Sequence, residues 1–143
     1  MTINYNNGKI YKLAPICGHD EGDIYIGSTT KEYLCQRMTA HKYQYKRYKK
    51  GSMGKVMSFD IFDKYGPENV KITLIELVNA NSKDELLSRE AYYIRNTNCI
   101  NKQIPLRTKK QYRQDNKEKI KDIKKIYNKQ YYEKQKLKKT IEI

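Results

Sequence analysis

The run VKITLIELV, Val70 to Val78, is the strongest strand in the sequence and constrains the fold more than any other segment. Its β-branched and apolar residues favour an extended backbone. Apolar and polar positions alternate imperfectly, which predicts a central strand that is covered on much of both faces. A central strand needs neighbours, so the rest of the chain has to supply further strands and covering helices.

Two shorter β-prone runs precede this strand, Lys9 to Leu13 and Asp23 to Gly27. The segment APICGHDEG lies between them and contains Pro15, Gly18 and Gly22, which are residues typical of turns. We therefore predict a hairpin with a long loop.

Apolar residues at helical spacing predict three helices, and these run from about Thr30 to Tyr48, from Gly54 to Tyr65 and from Ser82 to Arg95. Thr29 with Glu32 is a capping-box signature before the first helix. Ser82 with Glu85 is a second signature at the start of the third. Both signatures indicate where the helices begin.

The first predicted helix carries two polar residues on one face. Arg37 and His41 are four residues apart, so a guanidinium and a titratable imidazole point the same way. This combination is typical of an anion-binding site.

The third predicted helix carries a carboxylate in its apolar stripe. Glu90 is four residues from both Leu86 and Ile94, so we expect it to face inward with them. An unpaired carboxylate in an apolar wall is unfavourable unless a cation or several donors meet it.

Positive charge is concentrated at the end of the chain. Thirty Lys and Arg against 16 Asp and Glu leave +14. Residues 106–143 hold 14 cationic and five acidic residues, a balance of +9, against +5 for residues 1–105. We predict a globular domain over residues 1–105 and a basic, helical tail over residues 106–143. Nucleic acid is the expected partner, and the expected contacts are Lys109, Lys110, Arg113, Lys117, Lys121, Lys124 and Lys125.

Other interpretations of the composition remain. The tail is also consistent with a solvated charged helix that only keeps the chain soluble. No apolar run approaches the roughly 20 residues that span a bilayer. The first ten residues lack the apolar region of a signal peptide. The three cysteines form no paired motif, and Cys17, His19 and His41 do not make up a zinc site. We expect an intracellular, soluble protein in a reducing compartment.

The polar residues that packing leaves unexplained follow a recognisable order. They are Tyr11 within Lys9-Ile10-Tyr11, then Tyr25-Ile26-Gly27, Arg37, His41, Glu90 and Asn101. This order, with the expected strand, helix and loop contexts, resembles the GIY-YIG endonucleases, which include homing, restriction and repair enzymes and phage members. The resemblance covers roughly Gly8 to Ile104.

The resemblance implies an α+β fold, in which helices flank a small three-stranded antiparallel sheet. It also implies a metal-dependent enzyme that hydrolyses DNA phosphodiesters at one site. The catalytic residues that it implies are Tyr11, Tyr25, Arg37, His41 and Glu90, with Gly27 and Asn101 in support.

Each of these residue types suits the implied chemistry. Glu90 would hold Mg²⁺ or Mn²⁺, and Arg37 would bind the scissile phosphate. Tyr11 would be the general base, provided that neighbouring positive charge lowers the pKa of its phenol from about 10. Tyr25 and His41 would orient water or share the proton.

Three departures from the family pattern stand out. Lys9 replaces the first glycine of the GIY triplet, although Gly8 precedes it. The loop between the two tyrosines is slightly longer than usual. Met53 stands where some phage members carry a histidine, so activity here is expected to be slower or to depend on Tyr11 and His41.

Two functions compete on the sequence alone. The first is a DNA endonuclease that nicks or cleaves with weak sequence specificity, because the tail contains no recognisable base-reading motif. The second is a catalytically idle module of the same fold that binds or packages nucleic acid. A membrane-surface protein is disfavoured, since the tail lacks a leucine-rich and aromatic face.

Overall fold

A computed structural model of the chain describes residues 2–141 and shows an α+β protein. The elements in chain order are β1 (Gly8–Pro15), β2 (Tyr25–Thr29), α1 (Leu34–Lys49), α2 (Phe59–Tyr65), β3 (Val70–Val78), α3 (Lys83–Asn96), α4 (Lys109–Asp115) and α5 (Lys117–Ile141). Short 3-10 turns occur at Tyr5–Asn7 and Pro67–Asn69. None of the helices within the described part combines the length and apolarity that a membrane crossing requires.

The chain divides into two compact units. The first ends at Leu106, and the second begins at Arg107 and contains α4 and α5. All three strands and the helices α1 to α3 belong to the first unit.

The sheet is open and antiparallel, with the strand order β2-β1-β3. The predicted hairpin of β1 and β2 is confirmed. The prediction that Val70–Val78 is the central strand is wrong, because β1 occupies the centre and β3 lies at an edge. Leu74 and Leu77 of β3 are exposed, so an apolar composition there does not mean burial on both faces.

Each face of the sheet carries its own core. On one face, Tyr11 and Leu13 of β1 pack with Phe59, Phe62 and other residues of α1 and α2. On the opposite face, Ile10 of β1 and Ile26 of β2 form a core that also contains Leu86 and Ile94 of α3. Successive side chains of a strand point to opposite faces, so β1 contributes to both cores in alternation.

The helix starts differ in part from the predicted ones. Helix α1 begins at Leu34 and not at about Thr30 as predicted. Thr29 does not cap the helix, because it remains in β2 and its hydroxyl accepts a hydrogen bond from the Lys31 amide. Helix α2 begins at Phe59, five residues later than Gly54. The predicted start of α3 is confirmed, since the Ser82 hydroxyl accepts from the Glu85 amide at 3.3 Å.

The outer edge of β2 is closed by the segment that follows α3. The Ile26 amide donates to Asn101 Oδ1 at 2.9 Å, and Asn101 Nδ2 donates to the Ile26 carbonyl at 2.8 Å. One residue earlier, the Ile100 amide donates to the Ile24 carbonyl. The Asn101 side chain therefore pairs with β2 much as a neighbouring strand would.

We predict that Asn101→Ala lowers the free energy of unfolding by about 2 kcal/mol, because two backbone groups lose their partners at the edge of β2. Urea unfolding of the full chain measures this change. The matched control is Asn96→Ala, which removes one exposed bond to the Tyr92 carbonyl and should cost less than about 0.5 kcal/mol. Equal losses for the two variants would contradict the structural role assigned to Asn101.

Candidate active site

The candidate site is built around the phenol of Tyr11, at the centre of the sheet. Tyr11 is fully buried and lies opposite Gly27 in the register of β1 and β2. A Cβ atom at position 27 would lie 2.5 Å from the Tyr11 hydroxyl oxygen and 3.1 Å from the Tyr25 ring. Only glycine leaves room for the phenol there, which is the structural reason for the glycine of the YIG triplet.

A β-bulge adjoins this position. Between β1 and β3 the register shifts at Ile10 and Tyr11, because Ile10 lies opposite Glu76 whereas Tyr11 lies opposite Leu74. Bulges of this type redirect side chains and are common beside functional sites. The irregularity thus falls at the residue whose hydroxyl is central to the site.

The Tyr11 hydroxyl makes two hydrogen bonds to α1. Arg37 Nε donates to it at 3.0 Å, and His41 Nε2 lies 2.7 Å away. Arginine has no acceptor, so the Tyr11 oxygen accepts from Arg37 and its own proton is directed at His41 Nε2. The proton of the neutral imidazole then resides on Nδ1, which faces the buried Ser58 hydroxyl at 3.4 Å.

Burial keeps His41 neutral. The imidazole is 1% exposed and packs edge-on against the rings of Tyr11, Tyr25 and Phe62. Burial, together with the positive charge of Arg37, lowers its pKa from 6.5 to about 3. At neutral pH the ring is therefore an acceptor at Nε2.

The pKa of Tyr11 does not follow the expectation from the sequence. Burial raises it strongly, and the charge and hydrogen bond of Arg37 lower it only in part. The nearby Tyr25 and Glu90 raise it further. The phenol is consequently protonated in the free protein, so positive charge does not activate it as predicted. Desolvation outweighs one guanidinium because the charged phenolate would lie inside the core.

The Glu90 carboxylate lies beside β2. It accepts a short hydrogen bond from the Ser28 hydroxyl, the residue that follows Gly27. Burial raises the pKa of Glu90, while the Ser28 bond and the charge of Arg37 oppose that shift. The side chain is only half-buried, whereas Leu86 and Ile94 of the same helix are buried. Glu90 therefore lies at the border of the core, where a cation or a ligand can reach it.

Arg37 and Tyr25 occupy the accessible side of the site. Both are half-buried, and the only side-chain partner of Arg37 within residues 2–141 is the Tyr11 oxygen. The guanidinium therefore retains N–H groups that make no hydrogen bond within the described residues, and two such groups can donate to two oxygens of one phosphate. Burial raises the pKa of Tyr25, and the negative charge of Glu90 raises it further. The two tyrosines, the arginine, the histidine and the glutamate are thus brought together at one place.

Two serines of this site were not predicted from the sequence. Ser58 precedes α2 and has no motif that identifies it, because only the fold brings it to His41. Ser28 directly follows the Tyr25-Ile26-Gly27 triplet, and this position is the signal that would have indicated it. Both hydroxyls orient a titratable group of the site.

The fold accommodates Lys9 and Met53, two residues that depart from the family pattern. Lys9 Nζ lies at the surface and donates to the carbonyls of Asn7 and Lys31, each at 2.9 Å. The side chain therefore does not displace the sheet. Met53 is half-buried and packs against the core that contains Tyr11, so it supplies no group for proton transfer.

Metal binding would depend on Glu90. Within the described residues, His, Cys, Asp and Glu do not form any group of three or more that would hold an ion. One carboxylate is nevertheless a usual protein contribution to a Mg²⁺ site, where substrate phosphate and water complete the shell. Glu90 fits that pattern, because one of its oxygens accepts from Ser28 and the other has no hydrogen bond or ion-pair partner among residues 2–141.

The predicted nucleic-acid contacts lie on α4 and α5, the two helices of the second unit. Neither helix has a buried residue in its described part. Lys109, Lys110 and Arg113 belong to α4, and Lys117, Lys121, Lys124 and Lys125 belong to α5. Five of them line one shallow groove along these helices: Arg113, Lys117, Lys121, Lys124 and Lys125. Ile123 and Tyr127 of α5 are exposed, so these apolar side chains are not covered within this unit.

The family assignment rests on the motif alone. No family model, curated protein or solved structure matches this chain. The resemblance of the ordered motif to the GIY-YIG endonucleases therefore stays a prediction, and the chemistry of the site is inferred from its own residues.

We predict that the stability of the protein falls as the pH drops from 6.5 toward about 3, because the unfolded chain then binds a proton at His41 that the folded chain excludes. In His41→Gln this dependence should be flatter by up to about 1.4 kcal/mol per pH unit. Urea unfolding over a pH series measures it. The control is His19→Gln, which alters an exposed histidine outside the site. A His41→Gln series parallel to wild type would show that His41 is not buried in its neutral form.

Proposed function

We propose that this chain is a divalent-metal-dependent endonuclease that hydrolyses DNA phosphodiester bonds, similar in mechanism to the GIY-YIG enzymes. The observation that carries the proposal is the directed chain of hydrogen bonds from Arg37 through the buried Tyr11 hydroxyl to His41. Any buried hydroxyl needs a hydrogen-bond partner, but here the two partners are a guanidinium with further N–H donors and a neutral imidazole that can take up a proton. The arrangement suits the transfer of a proton next to a bound anion.

Arg37 is the residue that would bind the scissile phosphate. Its Nε already donates to Tyr11, which fixes the orientation of the guanidinium plane. The terminal nitrogens then face the phosphate and donate to its non-bridging oxygens as charge develops in the transition state. Arg37 thereby holds the phosphorus close to the Tyr11 hydroxyl.

Tyr11 and His41 would move the proton of the attacking water together. The Tyr11 oxygen accepts that proton while its own proton passes to His41 Nε2, only 2.7 Å away. This coupled transfer avoids a free phenolate, which burial disfavours. The imidazolium that forms is stabilised by the negative charge of the bound phosphate. Ser58 accepts from Nδ1 throughout and keeps the ring in the required orientation.

Glu90 would hold Mg²⁺ or Mn²⁺ through the oxygen that Ser28 does not occupy. When bound, such an ion supplies Lewis-acid stabilisation of the phosphate and of the leaving 3′ oxygen. Ser28 limits the rotation of the carboxylate before the ion arrives. The carboxylate also needs the cation, because burial already disfavours its charged form.

DNA is the proposed substrate because the strongest charge of the chain is a basic tail. The cations of α4 and α5 are spaced along two helices, and the groove that five of them line is shallow and open rather than an enclosed pocket for a small ligand. Contacts of this kind bind phosphates without reading bases, so cleavage or nicking with weak sequence preference is expected.

A second candidate function has a specific observation in its favour. Burial keeps Tyr11 protonated, and the described residues contain no group of three or more His, Cys, Asp or Glu side chains that could hold a metal ion. A catalytically idle protein of the same fold, which binds or packages nucleic acid, is consistent with both features. Cleavage assays distinguish the two functions directly.

We predict that the full chain relaxes supercoiled plasmid in Mg²⁺, and that Glu90→Gln abolishes cleavage while folding and DNA binding remain. The variant keeps the shape of the side chain and its bond with Ser28 but removes the charge that holds the ion. Cleavage, DNA affinity and thermal melting are measured on the same preparations. Glu68→Gln is the matched control, since Glu68 is an exposed carboxylate whose contact is a 3.4 Å ion pair with Lys42.

The outcomes separate three interpretations. Cleavage by wild type and by Glu68→Gln but not by Glu90→Gln supports the proposal. Comparable cleavage by Glu90→Gln would place the ion elsewhere. DNA binding by wild type without cleavage in Mg²⁺ or Mn²⁺ would favour the idle binding protein.

The basic tail generates a separate prediction. Replacing Lys121 and Lys124 by Gln should reduce the slope of log K against log salt by up to about 1.8, since each phosphate contact contributes about 0.9. Both residues line the groove of α5. Lys119→Gln with Lys134→Gln is the matched control, because the helical repeat of about 3.6 residues places these lysines on another side of α5. Equal slopes for the two double variants would mean that the groove does not contact DNA.

A further inference from the structure

A groove of about 440 Å³ opens beside the candidate site in the first unit. It is lined by Tyr25, Lys55, Met57, Asn101, Lys102 and Gln103, among others. One wall is the segment before α2, and the other wall is the segment after α3. Tyr25 and Asn101 belong both to the groove and to the candidate site, so the groove is a continuation of that site.

The two lysines of the groove differ in their electrostatic environment. Lys55 Nζ forms a 2.5 Å ion pair with Asp60, which holds the side chain and neutralises much of its charge. Lys102 is exposed and has no hydrogen bond or ion pair within residues 2–141. Lys102 therefore provides the available positive charge of the groove, and an anion is the ligand that complements it.

The groove also has an apolar part. Val56 and Met57 are half-buried, and Val56 packs partly against the core that contains Tyr11. A surface of this kind accommodates the sugar or base of a nucleotide, and the exposed Gln103 also lines the groove. Asn101 itself is occupied with the backbone of Ile26, so its position is rigid.

We propose that this groove binds a nucleotide adjacent to the scissile phosphate, with the Lys102 ammonium on the neighbouring phosphate and Met57 against the sugar. The proposal deepens the function proposed above and rests on it. The substrate strand then runs from Arg37 and Tyr11 past Tyr25 and into the groove. Lys102 is a positioning residue, because it holds the strand and does not touch the reacting atoms.

The test is an NMR titration of the full chain with a thymidine tetranucleotide in EDTA, which withholds the divalent ion and so separates binding from cleavage. We expect the backbone amides of residues 55–57 and 101–103 to shift in wild type. Lys102→Gln should weaken this response by about threefold in affinity, as expected for the loss of an exposed ion pair. Lys71→Gln is the matched control, because it removes one exposed charge from β3, away from the groove.

The second measurement is plasmid cleavage by the same variants. Lys102→Gln should lower kcat/KM about threefold relative to Lys71→Gln, mostly through a higher KM. Groove amides that do not shift in wild type would overturn the proposal, as would equal effects of the two substitutions. A wild-type protein that shifts these amides but never cleaves DNA would refute the proposed nuclease function and retain the groove as a nucleotide-binding site.

Discussion

The contact between the Tyr11 phenol and Gly27 is the constraint on which the site depends. A phenol can occupy the centre of the sheet only because the facing strand has no side chain at that point. Its hydroxyl then needs partners, since a buried polar group without hydrogen bonds is strongly unfavourable. Arg37 and His41 provide them from one face of α1, and the same bonds join α1 to β1. The close pairing of β1 with β2 and the candidate chemistry thus depend on the same contact.

Burial has the largest effect on the pKa of each titratable group in this site. Burial raises the pKa of Tyr11 and Glu90 and lowers that of His41, so it disfavours the charged form of each group. Arg37 opposes the shifts of Tyr11 and Glu90 but does not cancel them. The free protein therefore holds a neutral tyrosine and a neutral histidine in contact. Under the proposed function, a phosphate and a cation supply the charges that let the proton move.

The sheet contains both features that local sequence patterns predicted and features that they did not. The hairpin of β1 and β2 and the cap of α3 at Ser82 follow from local residue preferences, and both were predicted. The order of the strands could not be predicted from local residue preferences, because an apolar run such as β3 suits a central strand and an edge strand equally. The pairing of Asn101 with Ile26 decides how the β2 edge ends, and it joins residues 75 positions apart.

The sequence by itself determined the features that depend on neighbours along the chain. These are the helical spacing of Arg37 and His41, the strand–glycine context of Gly27 and the concentration of basic residues after position 105. The tertiary structure alone decided that Ser58 meets His41, that Tyr11 has a raised pKa and that Lys102 borders a groove. The physical reason is that desolvation and distant hydrogen bonds depend on which segments pack together, and no local periodicity encodes that choice.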